Sequence, residues 1–168
     1  MFICNLNLSE KASNFVTLKC PGIGNFKVFS SSDAETRNRI ECSHLTNATL
    51  PPGSYWIVDR PRGGVRSRMI AMIQGFVSGN DRDDWFALYR IDEKFDDETE
   101  IQGNTRSNFR IHPRSYAGTS YGCITFEHQS DYNVFRNFVL KIAPRTMGDR
   151  KVYGIVNVFG VAFSNEDC

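Results

Sequence analysis

The sequence predicts a mainly β fold carrying one principal α-helix near 130–143, and three observations predict it. Short runs rich in β-branched and aromatic residues recur along the chain, separated by Gly, Pro, Asn and Asp. One segment spaces its apolar residues by three and four instead of two. The 168 residues include 13 Phe, 6 Tyr and 2 Trp, so aromatic rings must fill much of the core. At that length, residues 1–168 read as a single domain able to bury a core without staples.

Taken in order, Phe15–Cys20 and Phe26–Phe29 flank Pro21-Gly22-Ile23-Gly24 and predict a hairpin. Leu50-Pro51-Pro52-Gly53 is a turn that launches a strand over Ser54–Asp59. Met69–Val77 and Trp85–Ile91 are further strands, the second opening after the polar run Gly79–Asp83. Asn108–His112 and Gly122–Phe126 are short strands around a loop containing Pro and Gly. Between Ser130 and Ala143, Tyr132, Phe135, Phe138, Val139 and Ile142 share one helical face. Ser130 is the expected N-cap, Asp131 suits the positive end of the helix dipole, and Pro144 ends the run. Lys151–Phe163 is a last, long β-rich segment.

Composition narrows the function. A formal charge of +1 argues against a general nucleic-acid or membrane-surface binder. No segment has the length of a membrane span. Met1-Phe2-Ile3-Cys4-Asn5-Leu6-Asn7 lacks a basic region followed by an apolar one, so a non-standard export route is expected if the protein acts outside the cytoplasm. Five cysteines leave at least one thiol unpaired within the chain. Cys4, Cys20, Cys42, Cys123 and Cys168 form no C-x-x-C pair, which argues against a zinc site, and no pairing follows from the sequence. His44 and His128 are expected at the surface, and the clusters Asp83-Asp84 and Asp96-Asp97-Glu98 in solvated loops.

The chemistry sits between Asn108 and Phe126. His112 closes one strand, a Gly-bearing loop follows, and Cys123 opens the next. A thiol needs such a neighbour, because the thiolate is the nucleophile and a free thiol titrates above neutral pH. The imidazole can take the proton or hold an ion pair with the sulfur. Gly122 lets the backbone approach closely, and the N–H groups of Tyr121, Gly122 and Cys123 are candidates for an oxyanion hole.

The pattern His112-Pro113…Ser120-Tyr121-Gly122-Cys123-Ile124-Thr125 resembles the active-site motif of the L,D-transpeptidase (YkuD-like) superfamily. It is most similar to the DUF2778 branch and its Tlde1-like type VI secretion effectors. Matching pieces continue through Gly22-Ile23-Gly24-x-Phe26, Leu50-Pro51-Pro52-Gly53-x-Tyr55-x-Ile57-Val58-Asp59-Arg60, Gly63-Gly64, Asp84–Tyr89 and Phe109–Pro113. The chain departs from the superfamily pattern, which usually has His before the Gly-Cys and Arg or Asn soon after the cysteine; here Tyr121 and Ile124-Thr125 occupy that neighbourhood.

The resemblance implies a YkuD-like β-sandwich or barrel and a cysteine enzyme cutting the meso-diaminopimelate–D-Ala bond of tetrapeptide stems through a Cys123 thioester. Water as acceptor gives L,D-carboxypeptidase activity, and a D-amino acid gives L,D-transpeptidase exchange. His112 acts as base and then acid, oriented by a backbone carbonyl or by Ser120. No metal or other cofactor is implied. Arg60 is the leading contact for stem carboxylates, with an Asp59–Arg60 ion pair as the alternative. Arg62, Arg66 and Arg68 read as a solvated loop. Arg110 lies two residues before His112 on the same strand face and can also reach substrate. Trp85 and Tyr121 can line the cleft, although a Trp in a β-rich domain is commonly core.

These features lead to an antibacterial effector made in the cytoplasm without a signal peptide and acting in the periplasm of a Gram-negative target. Its expected partners are peptidoglycan stems, a cognate immunity protein and a component of the secretion machine, with no nucleic acid and no membrane insertion. A housekeeping cell-wall transpeptidase and a non-catalytic peptidoglycan-binding module are the alternatives. A sortase-like enzyme is disfavoured by the short His112–Cys123 spacing and the lack of a following Arg.

Overall fold

A computed structural model describes residues 1–9, 14–60, 84–114, 120–161 and 168. In chain order its strands are β1 (Phe2–Asn7), β2 (Val16–Cys20), β3 (Gly24–Ser30), β4 (Gly53–Asp59), β5 (Phe86–Arg90), β6 (Glu98–Ile101), β7 (Asn104–Ser107), β8 (Arg110–Pro113), β9 (Ile124–Phe126), β10 (Arg145–Met147) and β11 (Arg150–Phe159). A 3-10 turn spans Ile40–Cys42, and the helix α1 covers Gln129–Lys141 between β9 and β10.

The main sheet runs β1-β2-β3-β9-β8-β5-β4-β11-β10, and a further β1–β11 pairing closes it into a barrel. Its pairings are antiparallel except β1–β11 and β8–β9. Closure through β1–β11 leaves β1 without the open edge that it would present in an open sheet. β10 pairs with the start of β11 and β1 with the rest of it. The hairpin β6–β7 forms a separate two-stranded sheet.

Alternation in the strands places the core. Phe2, Cys4 and Leu6 of β1 are buried while Ile3 is exposed, and Val16, Leu18 and Cys20 of β2 follow the same rule. Gly22 turns the β2–β3 hairpin with φ +81°, a conformation that glycine adopts without steric cost. Cys4 and Cys20 are joined by a disulfide, as are Cys42 and Cys168, which leaves Cys123 as the free thiol.

The expected helix is present, and its apolar face is core. Tyr132, Phe135 and Val139 are buried, and Phe138 and Ile142 pack against the same cluster. Phe135 lies within 6.2 Å, centroid to centroid, of Phe2, Phe26, Phe86 and Phe126. Burial of one such ring contributes about 2–3 kcal/mol. The helix starts two residues earlier than expected. His128, in extended conformation, is the N-cap, and Ser130 lies inside the first turn. The Ser130 position is therefore corrected: the polypeptide must leave β9 and turn at once to lay Tyr132 against Phe126.

Four strands were not anticipated: β1, β6, β7 and β10. The expected strand over Met69–Val77 lies outside the described residues, as do Gly63-Gly64, Arg62, Arg66, Arg68 and Asp83. Two of the acidic residues expected to be loop solvation are committed to structure instead. Asp84 pairs with Arg136 of α1, and Asp97 pairs with Arg110 of β8. No described helix is long and apolar enough to cross a membrane.

Candidate functional site

Strand parity brings the candidate residues together. In the parallel β8–β9 pair, His112 lies opposite Thr125 and Ile111 opposite Ile124. Ile111, Ile124 and Phe126 belong to the core cluster. The alternate residues Arg110, His112, Cys123 and Thr125 therefore share the other face. The segment between Pro113 and Ile124 is short for a parallel connection, which usually needs a longer crossover. Cys123 and His112 are brought to one face by this parallel register, in which Cys123 enters beside the start of β8 and His112 sits two residues further along.

That face opens into a cavity of about 520 Å³. Cys123, His112, Trp85, Arg60, Arg110, Ser120 and Tyr121 all line it, so the structure gathers the sequence candidates in one place. The remaining wall comes from elements the sequence did not single out: Thr46 and Asn47, then Thr105, Arg106, Ser107 and Asn108 of the β6–β7 hairpin and its exit. The size is that of a small-ligand site.

Cys123 is 8% exposed. Burial pushes its thiol above the ordinary range; the Arg110 backbone N–H and charge, the Tyr121 N–H and the Ser120 hydroxyl pull the other way. The Sγ lies 3.8 Å from the Asn108 carbonyl, to which a thiol can donate. At neutral pH the resting group is thus a protonated thiol, ready to lose its proton to a base. Gly122 holds φ +85°, and this left-handed turn lets the chain reverse just before the thiol.

His112 is 2% exposed. Its Nδ1 lies 2.8 Å from the Pro113 carbonyl, and a carbonyl only accepts, so Nδ1 carries the proton. Nε2 then presents a lone pair, with the Thr125 hydroxyl 3.4 Å away. Of the two groups expected to orient the imidazole, the backbone carbonyl is therefore in place. Ser120 is corrected: its hydroxyl donates to the Cys123 carbonyl at 3.4 Å. Its backbone is clamped by Ser32, whose hydroxyl accepts from Ser120 N–H at 2.9 Å and whose N–H donates to Ser120 O at 3.0 Å. Ser120 belongs to the turn that carries the thiol.

The imidazole is also held flat. Trp85 stacks on it with centroids 4.3 Å apart and planes 21° apart. Arg60 lies over the other ring system, its Cζ 5.5 Å from the Trp85 centroid. Trp85 is thus a wall of the cavity, half-buried, and Asp59 accepts from the Lys151 N–H at 2.7 Å. Arg110 departs from the expectation of a donor fork reaching for substrate. Its two terminal nitrogens grip Asp97 at 2.7 and 2.6 Å, and it also donates to the Asn108 side chain and the Phe109 carbonyl. The pair is nearly buried, which explains the commitment: an unpaired guanidinium there would carry a large desolvation cost. Tyr121, 55% exposed, stands at the rim, and its N–H faces the Cys123 sulfur.

Arg106 has no sequence signal of its own, since it sits in a hairpin of polar residues, yet it is 4% exposed. Among the described residues, no group of three or more His, Cys, Asp or Glu is arranged to hold a metal ion.

A closed β-barrel whose one strand face presents a buried thiol and an imidazole to an arginine-bearing cavity defines the class: a β-barrel protein with a cysteine–histidine cleft. Residues 24–147, most of the chain and all of the cavity wall just described, match the Tlde1 domain. The chain belongs to that family, a family of type VI secretion effectors. No curated protein matches the sequence.

Proposed function

We propose that the protein is a cysteine L,D-carboxypeptidase of peptidoglycan tetrapeptide stems, with L,D-transpeptidase exchange when a D-amino acid replaces water. The observation that carries the proposal is the shared face of Cys123 and His112 at the cavity, with the imidazole's proton fixed on Nδ1.

Nε2 of His112 accepts the Cys123 proton as the stem's scissile carbonyl arrives. The sulfur attacks the carbonyl carbon, and the oxygen becomes an anion facing the N–H groups of the Tyr121–Cys123 turn. Collapse breaks the C–N bond. The D-Ala amine leaves with the proton held on His112, and a thioester remains on Cys123. Water, deprotonated by His112, then releases the tripeptide stem. A D-amino acid amine gives exchange instead. Arg60, which lies over Trp85 on the cavity wall, is the cation assigned to a stem carboxylate. The protein acts in the periplasm of a Gram-negative target, and a cognate immunity protein and a secretion component are its partners.

The test is incubation of the purified chain with tetrapeptide muropeptides, followed by mass analysis. Loss of D-Ala, abolished by Cys123→Ala and by His112→Ala, is the expected result. Unchanged muropeptides with demonstrable binding would assign the chain to the non-catalytic class. Periplasm-directed expression should deform or lyse cells while cytoplasmic expression is tolerated, and equal harm from both would overturn the location.

A further inference from the structure

Arg106 is the most buried cation of the cavity wall, and its side chain crosses from β7 to the 43–49 segment. It leaves β7 and donates from Nη1 to the carbonyls of Ser43 and Thr49 and from Nη2 to the carbonyl of Ala48. It therefore gathers the 43–49 segment by three carbonyls at once. Its guanidinium carbon lies 4.9 Å from the Phe109 ring centroid. It also lies directly under the turn that carries the thiol. A Cβ added at Gly122 would sit 2.5 Å from Nη2, 2.8 Å from Phe109 Cε1 and 3.1 Å from the Ala48 carbonyl. The left-handed Gly122 thus rests on a platform that Arg106 holds together.

From this geometry we infer that Arg106 is the positioning residue of the Tyr121-Gly122-Cys123 turn: it fixes the peptide that faces the reacting carbonyl, and it places a buried positive charge beside the thiol. The inference rests on the proposal that Cys123 is the nucleophile. A fork of donors suits the task, because one planar group serves three acceptors while staying charged. Burial lowers the Arg106 pKa to about 10, which leaves it a cation at neutral pH. Among the described residues, the other titratable groups around this pair are Tyr55, Arg60, Arg110 with its partner Asp97, His112 and Tyr121. Tyr55 is pushed up by burial and stays neutral, so it does not cancel the charge.

The experiment compares Arg106→Gln and Arg106→Lys in the full chain by two readouts. The first is the pH dependence of Cys123 alkylation by iodoacetamide, which needs no substrate. The second is kcat against KM on tetrapeptide muropeptide. Arg106→Gln removes the charge, and its alkylation rate at neutral pH should fall about threefold to tenfold, with the profile displaced to higher pH. Arg106→Lys keeps the charge but not the planar fork. Its alkylation profile should match the parent while kcat falls at least about tenfold with little change in KM, as for a lost transition-state contact. A folded Arg106→Gln whose alkylation profile coincides with the parent would overturn the charge assignment. An Arg106→Lys with parental kcat would overturn the positioning. Should Arg106→Gln fail to fold, Arg106→Lys alone decides through the kcat and KM split. Should muropeptide turnover survive Cys123→Ala, the nucleophile assignment fails instead, and the alkylation profiles still report on Arg106.

Discussion

Replacing Gly122 by Ala isolates the cost of the turn before the thiol. The residue holds φ +85°, where an L side chain costs about 1–2 kcal/mol in backbone strain. The new Cβ would also meet Arg106 Nη2 at 2.5 Å, Phe109 Cε1 at 2.8 Å and the Ala48 carbonyl at 3.1 Å. None of these neighbours moves freely: Phe109 is 1% exposed, Arg106 is tied to three carbonyls, and Ala48 is backbone. Overpacking of this kind costs about 1–3 kcal/mol more. The total expected loss is about 3 kcal/mol, or roughly an 8 °C drop in Tm for a chain of this size. Gly22→Ala is the matched control. Its φ is +81°, but an added Cβ meets nothing within 4 Å, so it should lose only the strain, about 1 kcal/mol. Both variants are unfolded in urea with the disulfides intact, and the difference between them reads the clash alone. Equal losses would refute the reasoning, since they would mean that the Arg106–Phe109 platform yields without cost.

Three other outcomes follow from the same contacts. Asp97→Asn leaves Arg110 without its carboxylate in a pair whose side chains are only 11% and 25% exposed, and should cost about 2 kcal/mol in urea unfolding; a change under about 0.5 would mark the pair as idle. Cys123 is the free thiol, and burial holds its pKa high, so its iodoacetamide rate should be slow at neutral pH and rise with pH through a midpoint above that of an ordinary thiol. The sign follows because only the thiolate reacts; a plateau reached below neutral pH would contradict it. Cys20→Ser and Cys168→Ser open bridges spanning sequence separations of 16 and 126. Chain entropy gives losses of about 3 and about 5 kcal/mol, and the reverse order in denaturant unfolding would show that the longer bridge does not restrain the unfolded chain.

Periodicity and turn chemistry determined much of this protein by themselves. The β2–β3 hairpin follows from Pro21–Gly24 between two apolar runs, and α1 from five apolar residues at spacings of three and four. Both are local signals, and the core face of each is set by its own period. The cysteine arithmetic singled out an odd thiol, and the loop between His112 and Cys123 marked the site. What escaped was non-local. Strand β1 has an alternating pattern, but its placement depends on β11, more than a hundred residues away in the chain. Strands β6 and β7 are polar, so their hydrophobic pattern is blank; hairpin and platform become visible only when Arg106 is seen under Gly122. Asp97 looks like a solvated acid until the fold brings Arg110 to it. Sequence also left open which group orients His112. The choice fell to the Pro113 carbonyl because a strand backbone is rigid and already aimed, whereas Ser120 was taken up by the turn it belongs to. The chain encodes its elements locally, but burial and pairing across the barrel commit Arg110 to Asp97 and Arg106 to the carbonyls of the 43–49 segment.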